Sequence, residues 1–118
     1  MTQTLRSVAM DRDPIDPTGT RTFLVERYWP GIDEATARTV VWSLEREARA
    51  MTAEGIPVEH IGSILMPADQ VVFSLIAAAT ESVVRHVNER ARMPLDRIAA
   101  AIALPAGLRD EHARRIDQ

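Results

Sequence analysis

The pattern of apolar positions divides the chain into four strand-like runs and two helical runs. Residues 56–78 are rich in β-branched and bulky apolar side chains, and a turn-forming segment at residues 66–69 interrupts them, which predicts a β-hairpin. Residues 22–29 alternate and predict a first strand, and residues 97–104 predict a last strand. The hairpin is therefore the centre of the predicted fold.

Two helices flank the hairpin. The first is predicted to follow an N-cap at Asp33 and to end near Glu54, with Gly55 in the left-handed position. The second is predicted to follow a cap at Thr80 and to end near Arg92, before a proline. The first helix carries one apolar stripe at helical spacing, formed by Ala37, Val40, Val41, Leu44, Ala48 and Met51.

Within the strands, strict alternation assigns side chains to two faces. In the first strand, one face carries Phe23, Val25, Arg27 and Trp29, and the other carries Leu24, Glu26 and Tyr28. In the second strand, the same rule places His60 with Val58, Gly62 and Ile64. A shift of one residue in register exchanges the faces, so alternation alone leaves open which face His60 occupies.

The element order βαββαβ predicts a ferredoxin-like α+β fold, in which both helices cover one face of an antiparallel sheet. The domain is predicted over residues 22–104, between an N-terminal arm (1–21) and a C-terminal tail (105–118). The other sheet face would expose large apolar side chains to water. We therefore expect a homodimer that joins two such faces and encloses a cavity.

Composition narrows the chemistry. The chain of 118 residues has no cysteine, and all 14 of its basic residues are arginine, which excludes thiolate and lysine chemistry. A net charge of -3 does not indicate binding to nucleic acid. No apolar run is long enough to cross a membrane. The N-terminus lacks the apolar region of a signal peptide, so we expect a soluble, cytoplasmic protein.

The candidate site residues are Glu26 and His60, with Tyr28 and Ser74 near them in one cavity. A carboxylate and an imidazole together suit either a divalent metal ion or proton transfer. The alternative for Glu26 is an ion pair with an arginine such as Arg97, and the alternative for His60 is an ordinary hydrogen-bonded histidine. Both alternatives are the commoner arrangements.

Two segments, FLVERYWPGI (residues 23–32) and VNERARMPLDRI (residues 87–98), resemble a family of small ferredoxin-like domains that includes a nickel-binding protein of actinobacteria. The resemblance covers residues 23–102. It implies a ferredoxin-like fold, a homodimer and binding of a transition metal, with nickel as the cofactor. The chain departs from the family pattern at Ser74, where a cysteine is frequent, and at His60, where an aromatic residue is frequent.

These observations predict a small binding protein whose interfacial cavity holds a divalent metal ion, such as nickel, or a small molecule. The alternative is a cofactor-free enzyme of the oxygenase or isomerase type, which rests on analogy of fold. A structural or regulatory partner protein is the third possibility. Their cavities would differ, since a binding site needs a polar cluster, an enzyme a deep apolar pocket, and a purely structural interface no cavity at all.

Overall fold

A computed structural model of the protein describes residues 19–104, which form an α+β domain of four strands and two helices. In chain order the elements are β1 (Arg21–Tyr28), α1 (Glu34–Ala53), β2 (Val58–Met66), β3 (Val71–Ala78), α2 (Glu81–Arg90) and β4 (Arg97–Ala101). All six predicted elements are present, and β4 is shorter than predicted. The predicted tail and almost all of the predicted arm lie outside the described residues.

The helix ends follow from local hydrogen bonding. Asp33 caps α1 by accepting a hydrogen bond from the backbone N of Thr36 at 2.8 Å, and Thr80 caps α2 by accepting from the backbone N of Val83 at 3.3 Å. Gly55, just beyond α1, has a φ of 96°, which a side chain would disfavour. The predicted caps are thus the observed ones.

The sheet is antiparallel throughout, with the strand order β2-β3-β1-β4. β3 and β1 occupy the middle, and the consecutive strands β2 and β3 form a hairpin closed by a short 3-10 turn, Pro67–Asp69. The predicted fold implies this order, because in it each helix connects strands that are not neighbours in the sheet.

Both helices pack on the same face of the sheet, which we call the helix face. One buried apolar cluster joins residues of β1, β2 and β3 to residues of α1 and α2. Its members are Phe23, Val25, Val40, Leu44, Ala48, Met51, Val58, Ile76, Ala78, Val84, Val87 and Ala91. The apolar stripe predicted for α1 is buried apart from Val41, which is half-buried.

A β-bulge interrupts the alternation of β2. His60 pairs with Ile76 and Gly62 pairs with Leu75, so Ile61 is an extra residue with no partner on β3. On the N-terminal side of the bulge, even-numbered residues of β2 face the helices. On its C-terminal side, odd-numbered residues such as Ser63 do so, because Ser63 pairs with the buried Ser74.

The opposite side of the sheet, which we call the open face, has no helix or strand over it within residues 19–104. Leu24, Glu26, Tyr28, Ile64, Met66, Phe73 and Leu75 lie on it, as their pairing shows. Tyr28 and Ile64 are 59% and 62% exposed. In the same part of the chain, neither helix has the length and apolar character that a membrane crossing requires.

Candidate functional site

An ion pair lies near the middle of the open face. Glu26 on β1 is directly opposite Arg97 on β4, and Arg97 Nη1 donates a hydrogen bond to Glu26 Oε2 at 2.6 Å. The Glu26 side chain is only 17% exposed, whereas that of Arg97 is 63% exposed. Glu26 therefore has the arginine partner that the sequence suggested, and the guanidinium of Arg97 remains accessible from the open face.

Apolar side chains surround this ion pair. Phe73 lies opposite Glu26 on the neighbouring strand β3, and Ile64 lies opposite Phe73 on β2. Tyr28 is two residues along β1 on the same face, and its backbone N donates to Asp96 Oδ2 at 2.7 Å, which ties the end of β1 to the start of β4. The open face thus combines one accessible cation, one phenol and an apolar floor.

His60 lies on the helix face, so it does not share a cavity with Glu26. Its side chain is 4% exposed, and its ring Nδ1 is 3.1 Å from Glu45 Oε2 while Nε2 is 2.8 Å from Ser63 Oγ. The prediction that grouped His60 with Gly62 and Ile64 was wrong. The physical reason is the bulge at Ile61, which reverses the faces between His60 and Gly62.

Ser74 also lies on the helix face, away from Glu26 and Tyr28. It is fully buried, and its hydroxyl accepts a hydrogen bond from Arg27 Nη1 at 2.9 Å and lies 2.7 Å from Ser63 Oγ. The four predicted site residues are therefore divided, with two on each face. Whether any of them binds a ligand stays a prediction.

The helix face contains a continuous series of polar side chains, which we call the buried polar chain. It consists, in order of contact, of Glu45, His60, Ser63, Ser74, Arg27 and Asn88. At its inner end, Arg27 Nη2 donates to Asn88 Oδ1 at 2.6 Å, and Asn88 Nδ2 donates to the backbone O of Met93 at 2.8 Å. The buried polar chain thus links three strands and both helices.

Arg27 is the charged centre of the buried polar chain. It is 0% exposed, no carboxylate contacts it in the described residues, and its Nε has no hydrogen-bond partner there. Burial lowers the pKa of Arg27 to about 10, so the side chain is still a cation at neutral pH. A buried cation held only by neutral groups is unusual, since charges are normally buried in pairs.

The sequence contained a signal for Arg27, because alternation placed it between Val25 and Trp29 on a face that had to be buried. Gly62 gave a weaker signal, since a glycine inside a strand often marks a bulge. Glu45 on α1 had no signal. It lies among alternating acidic and basic residues of α1, yet it contacts His60, and Glu47, two residues later, accepts from Arg90 of α2 at 3.0 Å.

Two cavities open along the line where α1 meets β2. The first has a volume of about 490 Å³, and its lining includes Glu45, Arg49 and His60. The second has a volume of about 430 Å³, and its lining includes Arg38, Ser63 and Val72. The outer half of the buried polar chain therefore borders spaces large enough for a small molecule.

The described residues of one chain contain no ready cluster of metal ligands. In residues 19–104 no three side chains among histidine, aspartate and glutamate come together as a group that could hold a metal ion. Both ring nitrogens of His60 already have hydrogen-bond partners, and Glu26 is paired with Arg97. A metal would have to displace one of these partners before it could use His60.

Comparison with known proteins supports the fold. No protein-family model matches the chain, and no curated protein matches it. The crystal structure of SCO4226 from Streptomyces coelicolor A3(2) is similar, with a TM-score of 0.58 and 18% sequence identity, over 71% of this chain and 99% of that one. At this identity the similarity shows a shared fold alone.

Proposed function

We propose that this protein is a small cytoplasmic binding protein of the ferredoxin-like fold that holds a small organic molecule on its open face, between two copies of the chain. The ligand class is a largely apolar molecule with one anionic group. The observation that supports this proposal is the Glu26–Arg97 ion pair on an apolar face that no described helix or strand covers.

The apolar floor supports the involvement of a second copy. Burial of each large side chain such as Ile64, Phe73 or Tyr28 is worth about 1.5 to 3 kcal/mol, and these residues lie together on one face. The ion pair cancels its own charge, so two identical faces do not repel each other at this point. A twofold dimer is the simplest way to cover the face.

The exposure of Arg97 supports an anionic ligand. Glu26 occupies one side of the guanidinium, and within residues 19–104 the other N–H donors of Arg97 have no partner, so they can bind a carboxylate or sulfonate, a geometry that arginine favours. The phenol of Tyr28 supplies a further polar group at the edge of the same face. Glu26 then orients Arg97 and is not itself a ligand.

The test uses the full-length protein and the dye anilinonaphthalene sulfonate, which has an apolar body and a single anionic group. Fluorescence titration should show saturable binding, and Arg97→Gln should weaken it by about tenfold or more, because a hydrogen bond to a charged group is worth about 1.5–3 kcal/mol. Arg85→Gln is the matched control, since Arg85 also pairs with a glutamate but lies on α2.

Light scattering in the same buffer measures the assembly. Equal affinity of Arg97→Gln and wild type for the dye would remove the ligand proposal for this face. A monomeric mass at every protein concentration would remove the second copy from the proposal, whatever the dye does.

Nickel is tested in parallel, because the sequence resemblance implies it. A calorimetric titration of untagged protein with nickel should give no specific heat if the hydrogen bonds of His60 and Glu26 are maintained. Micromolar binding that His60→Ala removes would instead establish a metal site and replace the organic ligand in this proposal. The cofactor-free enzyme stays a prediction that rests on fold analogy.

A further inference from the structure

We propose that Ser63 is a nucleophile for acyl transfer from small activated esters, with His60 as its general base and Glu45 as the residue that orients the imidazole. The three side chains are in hydrogen-bond contact in that order, at 3.1 Å between Glu45 and His60 and 2.8 Å between His60 and Ser63. This order and these distances are those of a carboxylate, histidine and serine triad. The inference is independent of the proposed function.

The carboxylate fixes the tautomer of the histidine. Glu45 Oε2 accepts a hydrogen bond, so the proton of the neutral imidazole resides on Nδ1. Nε2 then carries the lone pair and accepts the hydroxyl proton of Ser63. A histidine held in this way is ready to remove that proton when the serine oxygen attacks a carbonyl carbon.

Arg27, at the other side of Ser63, favours the same direction of proton donation, from Ser63 to His60. Its Nη1 donates to Ser74 Oγ, which leaves the hydroxyl proton of Ser74 to be donated to Ser63 Oγ, 2.7 Å away. Ser63 therefore accepts a hydrogen bond that a buried cation polarises, and its own proton points to His60. The hydrogen bond from Ser74 and its polarisation by Arg27 both stabilise negative charge on Ser63 Oγ.

The bulge at Ile61 creates this contact. In a regular strand, residues three apart point to opposite faces, so His60 and Ser63 would be separated by the sheet. The extra residue brings both to the helix face, which is how bulges re-aim side chains next to active sites. An ordinary buried histidine would not need this irregularity.

A substrate can reach the serine. Ser63 lines the cavity of about 430 Å³ between α1 and β2, together with Val41, Leu65 and Val72, which are apolar, and Arg38, which is a cation. His60 and Glu45 line the adjacent cavity of about 490 Å³. The first cavity is suited to a small ester with an apolar acyl group, and the charge of Arg38 on its wall is balanced by Glu34, which also lines it and accepts from Arg38 Nη2 at 2.6 Å.

The reaction has two steps. Ser63 Oγ forms a bond to the carbonyl carbon and gives its proton to His60 Nε2; the ester C–O bond then breaks, and the alcohol departs with that proton. Water, activated by His60, attacks the acyl group and releases the acid, and the proton returns to Ser63. No oxidant, reductant or metal is required.

The test is covalent labelling of full-length protein by an alkyl fluorophosphonate. Ser63 Oγ should form the bond to phosphorus while fluoride leaves, and peptide mass spectrometry should find one adduct, on Ser63. Ser63→Ala should abolish labelling, and His60→Gln should slow it by about 100-fold or more, as expected for loss of a general base. Ser82→Ala, at an exposed serine on α2, should be labelled at the wild-type rate.

Since buried substitutions can impair folding, Glu45→Gln provides a second variant. It keeps a side-chain acceptor for His60 at a half-exposed position and should slow labelling while the thermal transition is maintained. If folded wild-type protein gains no adduct on Ser63, or if His60→Gln and Glu45→Gln are labelled as fast as wild type, the proposal is wrong. The buried polar chain would then serve only to satisfy Arg27.

Discussion

Arg27 is a charged side chain in a fully buried environment, which is unfavourable for a cation. Desolvation penalises its charge, and neutral partners, Ser74 and Asn88, provide the only hydrogen bonds that the described residues give to its side chain. Such a side chain persists only if its partners hold it well. The strength of those two hydrogen bonds should therefore be measurable as stability.

We expect Asn88→Ala to lower the free energy of unfolding by about 1.5–3 kcal/mol, because it leaves a buried charged donor of Arg27 without a partner. Asn88→Asp supplies a carboxylate to the same Nη2 but loses the hydrogen bond that Asn88 Nδ2 donates to the backbone O of Met93, so this variant should also be less stable than wild type. Urea unfolding at neutral pH measures both variants. An Asn88→Ala variant as stable as wild type would contradict the view that these hydrogen bonds hold Arg27 in place.

Arg27→Lys should show an unusual pH dependence. The burial that lowers the pKa of Arg27 to about 10 should also lower the pKa of a lysine there below its ordinary value of about 10.4. A base with a lower pKa when folded binds fewer protons in the folded state, so stability rises with pH between the folded and unfolded values. The variant should be less stable than wild type at about pH 7, and the difference should narrow by about pH 9.5.

Urea unfolding of wild type and Arg27→Lys at both pH values makes the comparison. A difference that is constant or widens with pH would show that the lysine escapes to solvent or remains fully charged. In either case the buried cation would be less constrained than its hydrogen bonds indicate.

At the scale of single residues, the sequence predicted the ion-pair partner of Glu26 better than it predicted which side chains share a face of the sheet. It identified Arg97 as a partner for Glu26, because opposite charges on adjacent strands attract. It grouped His60 and Ser74 with Glu26 and Tyr28 in one cavity, whereas the sheet separates the two pairs, since a face assignment by alternation depends on every residue of the strand being regular. It gave no partner for Arg27, because Asn88 is 61 residues away in the chain.

At the scale of elements, the predicted helices and strands agree closely with the observed ones. Their boundaries depend on nearby residues, such as Asp33 before α1 and Gly55 after it, which the sequence displays directly. The bulge in β2 was not predicted, because it results from pairing with β3 and leaves only the weak signal of Gly62. Local rules thus predicted the elements but not their irregularity.

The cap of α1 makes its stability dependent on pH. The hydrogen bond from the backbone N of Thr36 lowers the pKa of Asp33, so its stabilising effect is present above the ordinary carboxyl pKa and is lost as pH falls through the lower folded value. Asp33→Ala should therefore reduce the midpoint of urea unfolding at neutral pH, and the reduction should shrink in acid.

Asp33→Asn is the matched control for the cap. Asparagine caps helices about as well as aspartate but does not titrate in this range, so this variant should be stable at neutral pH and should lack the acid-dependent loss. If Asp33→Asn loses as much stability in acid as wild type, other carboxylates cause the loss and Asp33 does not.

At the scale of the whole molecule, the two faces of the sheet have different roles. The helix face holds the apolar cluster and the buried polar chain, and the open face holds the apolar floor around Glu26 and Arg97. The sequence predicted this division, because two helices connected through a hairpin cover only one face. It also predicted that a second copy of the chain covers the other face, and this stays a prediction.

Self-association through the open face should make thermal stability depend on concentration. The melting temperature of wild type should rise with protein concentration, because only the folded chain associates. Ile64→Glu should abolish this dependence and halve the mass in light scattering. Trp42→Glu, which replaces a similarly exposed residue on α1, should behave as wild type. A wild-type melting temperature that does not change with concentration would contradict a dimer.

The bulge in β2 has a further consequence for how copies of this chain can meet. β2 is an edge strand, and its unpaired backbone groups would otherwise be a template for lateral growth of the sheet. The extra residue breaks the regular spacing of those groups, and at the other edge β4 is only 5 residues long. Neither edge strand therefore presents a long, regular row of unpaired backbone groups. Two copies can pack face to face, whereas a continuous sheet that runs from one copy into the next is disfavoured.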